Sequence, residues 1–406
     1  MYDLAAIGAW LEFAVRWVHV ITAIAWIGSS FYFIALDLGL HRDRNLASGA
    51  DGEEWQVHGG GFYHIQKYLV APAQMPGDLI WFKWESYATW LSGFAMLFLV
   101  YYLGAEFYLI DPGVADLAPW QAIAISLVSL AGGWLAYDWI CKSKFGDDNT
   151  RLMVFLYVIL VALSYFYTSV FSGRAALIHL GAFTATIMSA NVFFIIIPNQ
   201  KIVVEDLKAG RKPDPKYGKI AKQRSTHNNY LTLPVLFMML SNHYPLAFAS
   251  QYNWIIASLV FLMGVTIRHY FNTIHARKGN PRWTWLATAV LFVIIMWLST
   301  APLFRAEEPE EASGAALRYA QAEHFDAVTD IVMGRCSMCH AAEPAWDGLL
   351  WPPKGVRLET PNQIARNAHA IYLQAGLGHA MPPANLSFIE PEERQLIMAW
   401  YKAAND

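Results

Sequence analysis

Residues 284–302 read TWLATAVLFVIIMWLSTAP, a run without a single charged side chain. A helix needs about 20 predominantly apolar residues to cross the hydrocarbon core of a bilayer. This stretch therefore predicts a transmembrane helix. It also divides the chain, because the residues that follow it are acidic and lack any comparable apolar run.

Similar apolar runs recur throughout the part of the chain before residue 284. Only 15% of all residues are charged and 56% are hydrophobic, whereas soluble proteins carry roughly 25% charged residues. The fold class predicted is all-α, with an eight-helix transmembrane bundle over residues 1–302. The eight spans are predicted at 11–38, 87–108, 119–140, 152–171, 174–197, 229–247, 253–274 and 284–302.

The basic residues between these spans lie almost entirely on one side of the bundle. Four alternate loops (41–86, 141–151, 199–228 and 275–283) carry 18 Lys and Arg, and the remaining turns carry only Arg174. Short loops rich in Lys and Arg stay in the cytoplasm. The pattern predicts a bacterial inner-membrane protein, surrounded by lipid, with both termini periplasmic. The first apolar run lacks the features of a cleavable signal peptide.

A separate periplasmic domain is predicted at 315–406, after an acidic linker at 303–314. From residue 304 onward there are 8 Lys and Arg against 14 Asp and Glu, although the whole chain has a net charge of only -3. Helical patterns cover residues 315–333 and 391–404. The charge distribution suggests no nucleic-acid partner.

The sequence CSMCH at 336–340 is the attachment pattern of c-type haem. Cys336 and Cys339 are predicted to bond the haem covalently, and His340 to bind its iron. Met381 is the predicted second iron ligand, with His379 as the rival, and His/Met ligation raises the reduction potential. Zinc is disfavoured because no second Cys pair follows, and the third cysteine implies no disulfide framework. The segment resembles a class I cytochrome c domain throughout.

Three histidines fall in the outer half of the predicted spans: His19, His179 and His243. Ionisable residues within a membrane are costly to bury and often functional. Two of these imidazoles could hold a haem b in the bundle. The alternative is that each imidazole forms hydrogen bonds between helices, and the sequence leaves both possibilities open.

Several motifs resemble the membrane-bound, cytochrome c-fused urate oxidase (urate hydroxylase) family, over essentially the whole chain. They are WQVHGGGFY at 55–63, WFKWE at 81–85, HNNYLTLP at 227–234 and SNHYP at 241–245. The resemblance implies oxidation of urate to 5-hydroxyisourate in purine catabolism. It also implies that electrons pass through haem c to a respiratory acceptor, such as a cytochrome oxidase or a soluble cytochrome c.

Urate oxidation requires a base for protons and a cationic or amide clamp for the oxygens. The candidate catalytic residues are His58, His64, Lys67 and Arg268. If urate binds at this cytoplasmic side, its electrons must cross about 30 Å of membrane. The urate site must then lie deep, or a second haem must bridge the distance.

Two other functions are compatible with parts of the sequence. A quinol-linked cytochrome could relay electrons without oxidising a small molecule itself, but it would not need the aromatic, Gly-rich segment of loop 41–86. That segment is expected to be ordered and partly re-entrant. The first span also resembles membrane protoporphyrinogen oxidases, although the remaining motifs do not.

Overall fold

A computed structural model describes residues 4–68, 76–300, 312, 314–347, 349 and 352–405, which are mostly helical. Its strands are β1 (Ala50–His58) and β2 (Gly61–Tyr68). Its α-helices are α1 (Leu4–Gly39), α2 (Trp84–Met96), α3 (Pro119–Lys142), α4 (Asn149–Thr168), α5 (Gly173–Ala190), α6 (Ile197–Lys208), α7 (Pro215–Ser241), α8 (Pro245–Phe248), α9 (Asn253–His275), α10 (Trp283–Thr300), α11 (Ala316–Ala320), α12 (Phe325–Arg335), α13 (Ser337–His340), α14 (Pro361–Arg366), α15 (Ala368–Ile371) and α16 (Pro391–Ala403).

Within the described residues, six helices are long and apolar enough to cross a membrane. They are α1, α3, α4, α9, α10 and the continuous helix Gly173–Lys208, which joins α5 to α6 through a π-helical segment. α5 is central, because it packs against α2, α3, α4 and α7. Six of the predicted spans therefore coincide with helices of membrane-spanning length.

The other two predicted spans are also helical but are not among these six. α2 ends at Met96, after 13 residues, and the chain continues through π-helical turns at Leu97–Tyr102 and Ala105–Leu109. α7 is 27 residues long, but its first half is polar and basic. The count of eight spans accordingly stays a prediction.

The first long connection contains a feature that an all-α prediction did not include. β1 and β2 form an antiparallel hairpin in which Trp55 pairs with His64. Its two-residue turn uses Gly59 and Gly60, both at positive φ. Glycine adopts that region without steric cost, so GG between two aromatic segments favours a hairpin. Residues 50–68 therefore form regular structure, whereas the re-entrant position stays a prediction. Residues 69–75 of the same loop lie outside the described residues.

A second hydrophobic cluster forms the core of the C-terminal domain. Trp400 is fully buried, and its indole donates a hydrogen bond to the Tyr319 carbonyl at 2.9 Å. The predicted helix 315–333 is two helices, α11 and α12, because His324 between them has a φ of 71°. The predicted C-terminal helix is confirmed as α16. Because 301–311 and 313 lie outside the described residues, the linker boundaries stay predictions.

The C-terminal domain packs against one end of the helical bundle. The rings of Phe107 and Tyr319 lie 5.8 Å apart, and Arg366 forms an ion pair with Asp111 at 3.4 Å. Gly355 sits so close to Pro245 that an added Cβ would lie 2.6 Å from the proline side chain. The contacts involve the predicted outer end of the bundle.

Candidate functional site

The CSMCH motif forms a single turn at the end of α12. The backbone nitrogens of Cys339 and His340 donate to the Cys336 carbonyl at 3.2 and 2.9 Å. Burial raises the pKa of the Cys336 thiol to about 11. Two thiols and an imidazole on one short helical turn are the donor set that covalent haem attachment uses.

The imidazole of His340 is oriented by the backbone. Its Nδ1 donates a hydrogen bond to the Val356 carbonyl at 2.8 Å. This contact leaves Nε2 as the available nitrogen, and metal-binding histidines are commonly oriented through such a second hydrogen bond. The structure therefore holds His340 in the tautomer that an iron ligand needs.

Met381 lines the same cavity as Cys336, Cys339 and His340. Arg394 fixes the methionine loop, since its guanidinium donates to the carbonyls of Ala375 at 2.6 Å and Met381 at 3.0 Å. His379, the rival ligand, is exposed and is not among the residues that line the cavity. The geometry favours Met381, and the residues fit a haem held by two thiols and a His/Met pair.

This cavity, of about 1860 Å³, lies between the C-terminal domain and the bundle. All three of the basic-poor turns between predicted spans contribute to its wall, as does the first part of α1. Its polar lining from the bundle includes Glu12, Arg16, Arg174, Asn242 and His243. The attachment motif thus faces charged groups of the helical bundle across a shared space.

The four basic loops contact one another in pairs at the opposite end of the bundle. Arg277, from one such loop, donates to the Gly39 carbonyl at 2.9 Å, beside the start of another. Gln223 similarly donates to the Gly146 carbonyl at 2.8 Å. The charge pattern that predicted two sides therefore corresponds to two physical ends of the molecule.

The three histidines considered for haem b lie in different surroundings. His19 contacts the Thr89 carbonyl and the Ser92 hydroxyl, both at 3.1 Å. His179 is fully buried, with its Nδ1 2.8 Å from the Ala175 carbonyl and its Nε2 2.9 Å from the Ser126 hydroxyl.

His243, the third, lines the cavity between the domains, which neither His19 nor His179 does. Both ring nitrogens of His179 have hydrogen-bond partners in this arrangement. His19 and His179 each make a hydrogen bond to a neighbouring helix, as the alternative describes. A haem b ligand set stays a prediction.

Three of the candidate catalytic residues lie on the hairpin, each in its own setting. His58 is exposed beside the turn. His64 stacks on Trp55, with ring centroids 4.2 Å apart, and donates to Glu53 at 2.8 Å. That hydrogen bond lowers the pKa of Glu53. Lys67 pairs with Asp37 of α1.

Arg268, the fourth candidate, is buried in α9. Its guanidinium lies 4.2 Å from the Phe31 ring centroid and donates to Asn272 at 3.1 Å. Asn272 donates in turn to Asn229 at 2.8 Å. None of the four candidates lines either of the two described cavities, and their catalytic roles stay predictions.

A buried polar network near the basic end was not anticipated from the sequence. The Tyr137 hydroxyl lies 2.7 Å from His227 Nδ1 and accepts a hydrogen bond from Asn191 at 3.1 Å. Arg224 is 1% exposed and pairs with Asp138 at 2.7 Å. The sequence did contain an indication of this network, because Asp138 and Asn191 are polar residues inside predicted transmembrane spans. Most of its polar atoms have partners, as in a structural network, although Arg224 Nε is buried without a hydrogen-bond partner among the described residues.

A smaller cavity, of about 430 Å³, opens beside the hairpin. Its lining includes Tyr32, Glu54 and Trp55, together with His275 and Arg277. Its volume is within the range of roughly 300–1,000 Å³ that is usual for small-molecule sites. It is separate from the cavity that contains the CSMCH motif.

Comparison with known proteins gives one match. A family model described as Urate oxidase N-terminal matches residues 5–299. No curated protein and no solved structure matches the chain. The matched segment covers the helical bundle and stops before the C-terminal domain.

Proposed function

The chain belongs to the urate oxidase N-terminal family, and from that premise we propose that it oxidises urate to 5-hydroxyisourate and exports the electrons through a covalently bound haem c. The proposed export of electrons through haem c is supported by one observation. The CSMCH motif, Met381 and the helical bundle line the same cavity. An electron carrier that faces the family domain directly is suited to accept its electrons.

The C-terminal domain contributes the residues that would hold the haem. Cys336 and Cys339 would form the thioether bonds, and His340 and Met381 would bind the iron from opposite sides. When bound, the haem supplies a one-electron redox centre of raised potential. Arg394 and the Val356 carbonyl keep the two iron ligands in place.

The proposed reaction balances without molecular oxygen. A urate monoanion and one water give 5-hydroxyisourate, one proton and two electrons, as a C5–O bond forms and an O–H bond of the water breaks. The electrons leave one at a time to an oxidised respiratory carrier outside this chain. A base of the protein must take the proton, and Glu12 and His243 in the shared cavity are suited to that.

The bundle is proposed to lie in a bacterial inner membrane, with the C-terminal domain in the periplasm. The six long apolar helices support membrane insertion. The concentration of Lys and Arg at the end opposite to the C-terminal domain supports the orientation. A periplasmic position also suits haem c, whose electrons can then reach a cytochrome oxidase or a soluble cytochrome c.

The test is a reduced-minus-oxidised spectrum of the purified full-length protein under anaerobic conditions. Urate should produce the absorption bands of reduced haem c, and 5-hydroxyisourate should accumulate when an oxidised cytochrome is supplied. A Cys336→Ala, Cys339→Ala variant should lose the bands. If a quinol but not urate reduced the haem, the chain would be an electron relay and the enzyme proposal would fail.

A further inference from the structure

We infer that urate binds in the cavity between the two domains, at the end of the bundle next to the haem, rather than at the basic end. This inference rests on the proposed function and specifies its site. The proposed binding surface, here called the outer anion site, consists of Arg16, Arg174 and His243, with Glu12 beside them. All four line the cavity that also contains Cys336, Cys339 and His340.

Positive charge is concentrated on the cavity wall. Its described lining carries six Lys and Arg and only three Asp and Glu, although the C-terminal part of the chain is acidic. Two of the six basic side chains already form ion pairs: Arg335 with Glu393 at 2.9 Å, and Arg366 with Asp111. Of the other four, Arg16 and Arg174 lie on the bundle side beside Glu12, and Lys354 and Arg357 lie on the C-terminal domain. The wall as a whole therefore carries a positive surplus, which suits an anion.

Arg174 is the most informative member of the outer anion site. Its guanidinium lies 5.6 Å from the Tyr108 ring centroid, and its Nε is buried without a hydrogen-bond partner among the described residues. The Oδ1 of Asn242, on the same wall, is likewise buried and unpartnered among them. A donor and an acceptor left unsatisfied together suit a ligand that carries both carbonyl and N–H groups, as a purine does.

Neighbouring groups add to the attraction for an anion. Arg16, Arg174 and Lys354 are all close enough to His243 to interact with it electrostatically. The first residues of α5 and α9 also line the cavity. Helix N-termini carry partial positive charge and favour anions.

The cavity is large enough for two occupants. Its volume of about 1860 Å³ exceeds the roughly 300–1,000 Å³ of an ordinary small-molecule site. A haem bound to the CSMCH turn would leave space beside the arginines for a small planar anion. The haem propionates are the other anions that these arginines could bind, so the test must separate the two.

Electron transfer gives the reason to prefer this site. Urate at the basic end would be separated from the haem by a membrane core of about 30 Å. Urate in the shared cavity would lie beside the haem, so no second cofactor would be needed. The guanidinium groups of Arg16 and Arg174 can bind the urate oxygens. His243 or Glu12 can take the proton released when water adds to C5 of urate.

Sealed membrane vesicles of known orientation, containing the full-length holoprotein, provide the first test. Because a charged solute crosses a bilayer slowly, urate added outside reaches only one face during a rapid measurement. We expect urate to reduce haem c in vesicles whose C-terminal domain faces outward, and not promptly in inverted ones. Reduction from the cytoplasmic face alone would overturn this inference but leave the proposed function intact. No reduction from either face would overturn both.

An Arg174→Gln variant provides the second test, with Arg151→Gln at the basic end as the matched control. The loss of one charge-assisted contact should raise the urate concentration for half-maximal haem reduction by about tenfold or more. Haem content and reduction potential should stay unchanged, and Arg174→Lys should recover part of the affinity. A changed potential with unchanged urate dependence would assign Arg174 to the haem propionates and overturn the inference.

Discussion

His340 and Met381 are each positioned by a hydrogen bond between a side chain and a backbone carbonyl, and neither depends on the other for its place. His340 is held by the Val356 carbonyl, and the methionine loop by Arg394, itself 8% exposed. Both hydrogen bonds are made within the polypeptide and orient the two candidate iron ligands. Pre-organised ligands reduce the cost of ordering on binding.

At the residue scale, we expect Met381→Ala to leave the haem covalently attached but to remove the sixth iron ligand. The reduction potential should fall by on the order of 100 mV, since axial ligands are a main determinant of haem potential. Redox titration followed by absorbance measures the shift, and the exposed Met333→Ala serves as the control. An unchanged potential would point to His379 as the ligand.

At the element scale, the hairpin shows how a two-residue turn imposes structure on the long connection between α1 and α2. Gly59 and Gly60 have φ values of 59° and 78°, and a Cβ added at either position would meet no atom within 4 Å. Backbone conformation rather than crowding therefore requires glycine there. The resulting turn sets the register that stacks His64 on Trp55.

Gly60→Val should destabilise the hairpin by about 1–2 kcal/mol, because a β-branched residue is unfavourable at positive φ. Gly61→Val is the matched control, since Gly61 does not have a positive φ and the nearest atom to an added Cβ lies 3.8 Å away. Hydrogen exchange of the amides in residues 50–68 measures the difference. Equal exchange in the two variants would contradict the assigned turn.

At the scale of the whole molecule, two hydrophobic clusters meet at a small, partly polar contact. Phe107 of the bundle side packs with the C-terminal core, and the Arg366–Asp111 ion pair lies nearby. The contact closes the cavity that contains both the CSMCH turn and the outer anion site. The relative placement of the domains therefore determines the distance between substrate and haem in the proposed reaction.

Gly355→Val should separate the domains, because the added Cβ would lie 2.6 Å from Pro245 and Gly355 has a φ of 68°. Small misplacements of reacting groups are costly, so urate-driven haem reduction should slow by about tenfold or more. Reduction by ascorbate should be unaffected, as should both reactions in Gly334→Ala, where an added Cβ meets no atom within 4 Å. An unaltered urate-driven rate would show that docking through Gly355 is not required.

The amino-acid sequence by itself determined the features that depend on neighbouring residues. Apolar runs specified the long helices, the CSMCH spacing put both thiols and His340 on one turn, and Lys and Arg counts distinguished the two ends. It missed the hairpin at Gly59–Gly60 and the break at His324, where single φ values override the surrounding pattern. The features that were predicted depend on neighbouring residues alone, so they can be recognised without knowing the packing.

Only the tertiary structure decided which distant residues meet. Arg16, Arg174 and His243 are far apart in the chain, yet they line one cavity with His340. His19 and His179 are predicted to lie at a similar depth in the membrane, but helix packing gives them separate hydrogen-bond partners. The direction in which a helix presents each side chain depends on its rotation against its neighbours. Hydrophobic periodicity limits that rotation without specifying the partner.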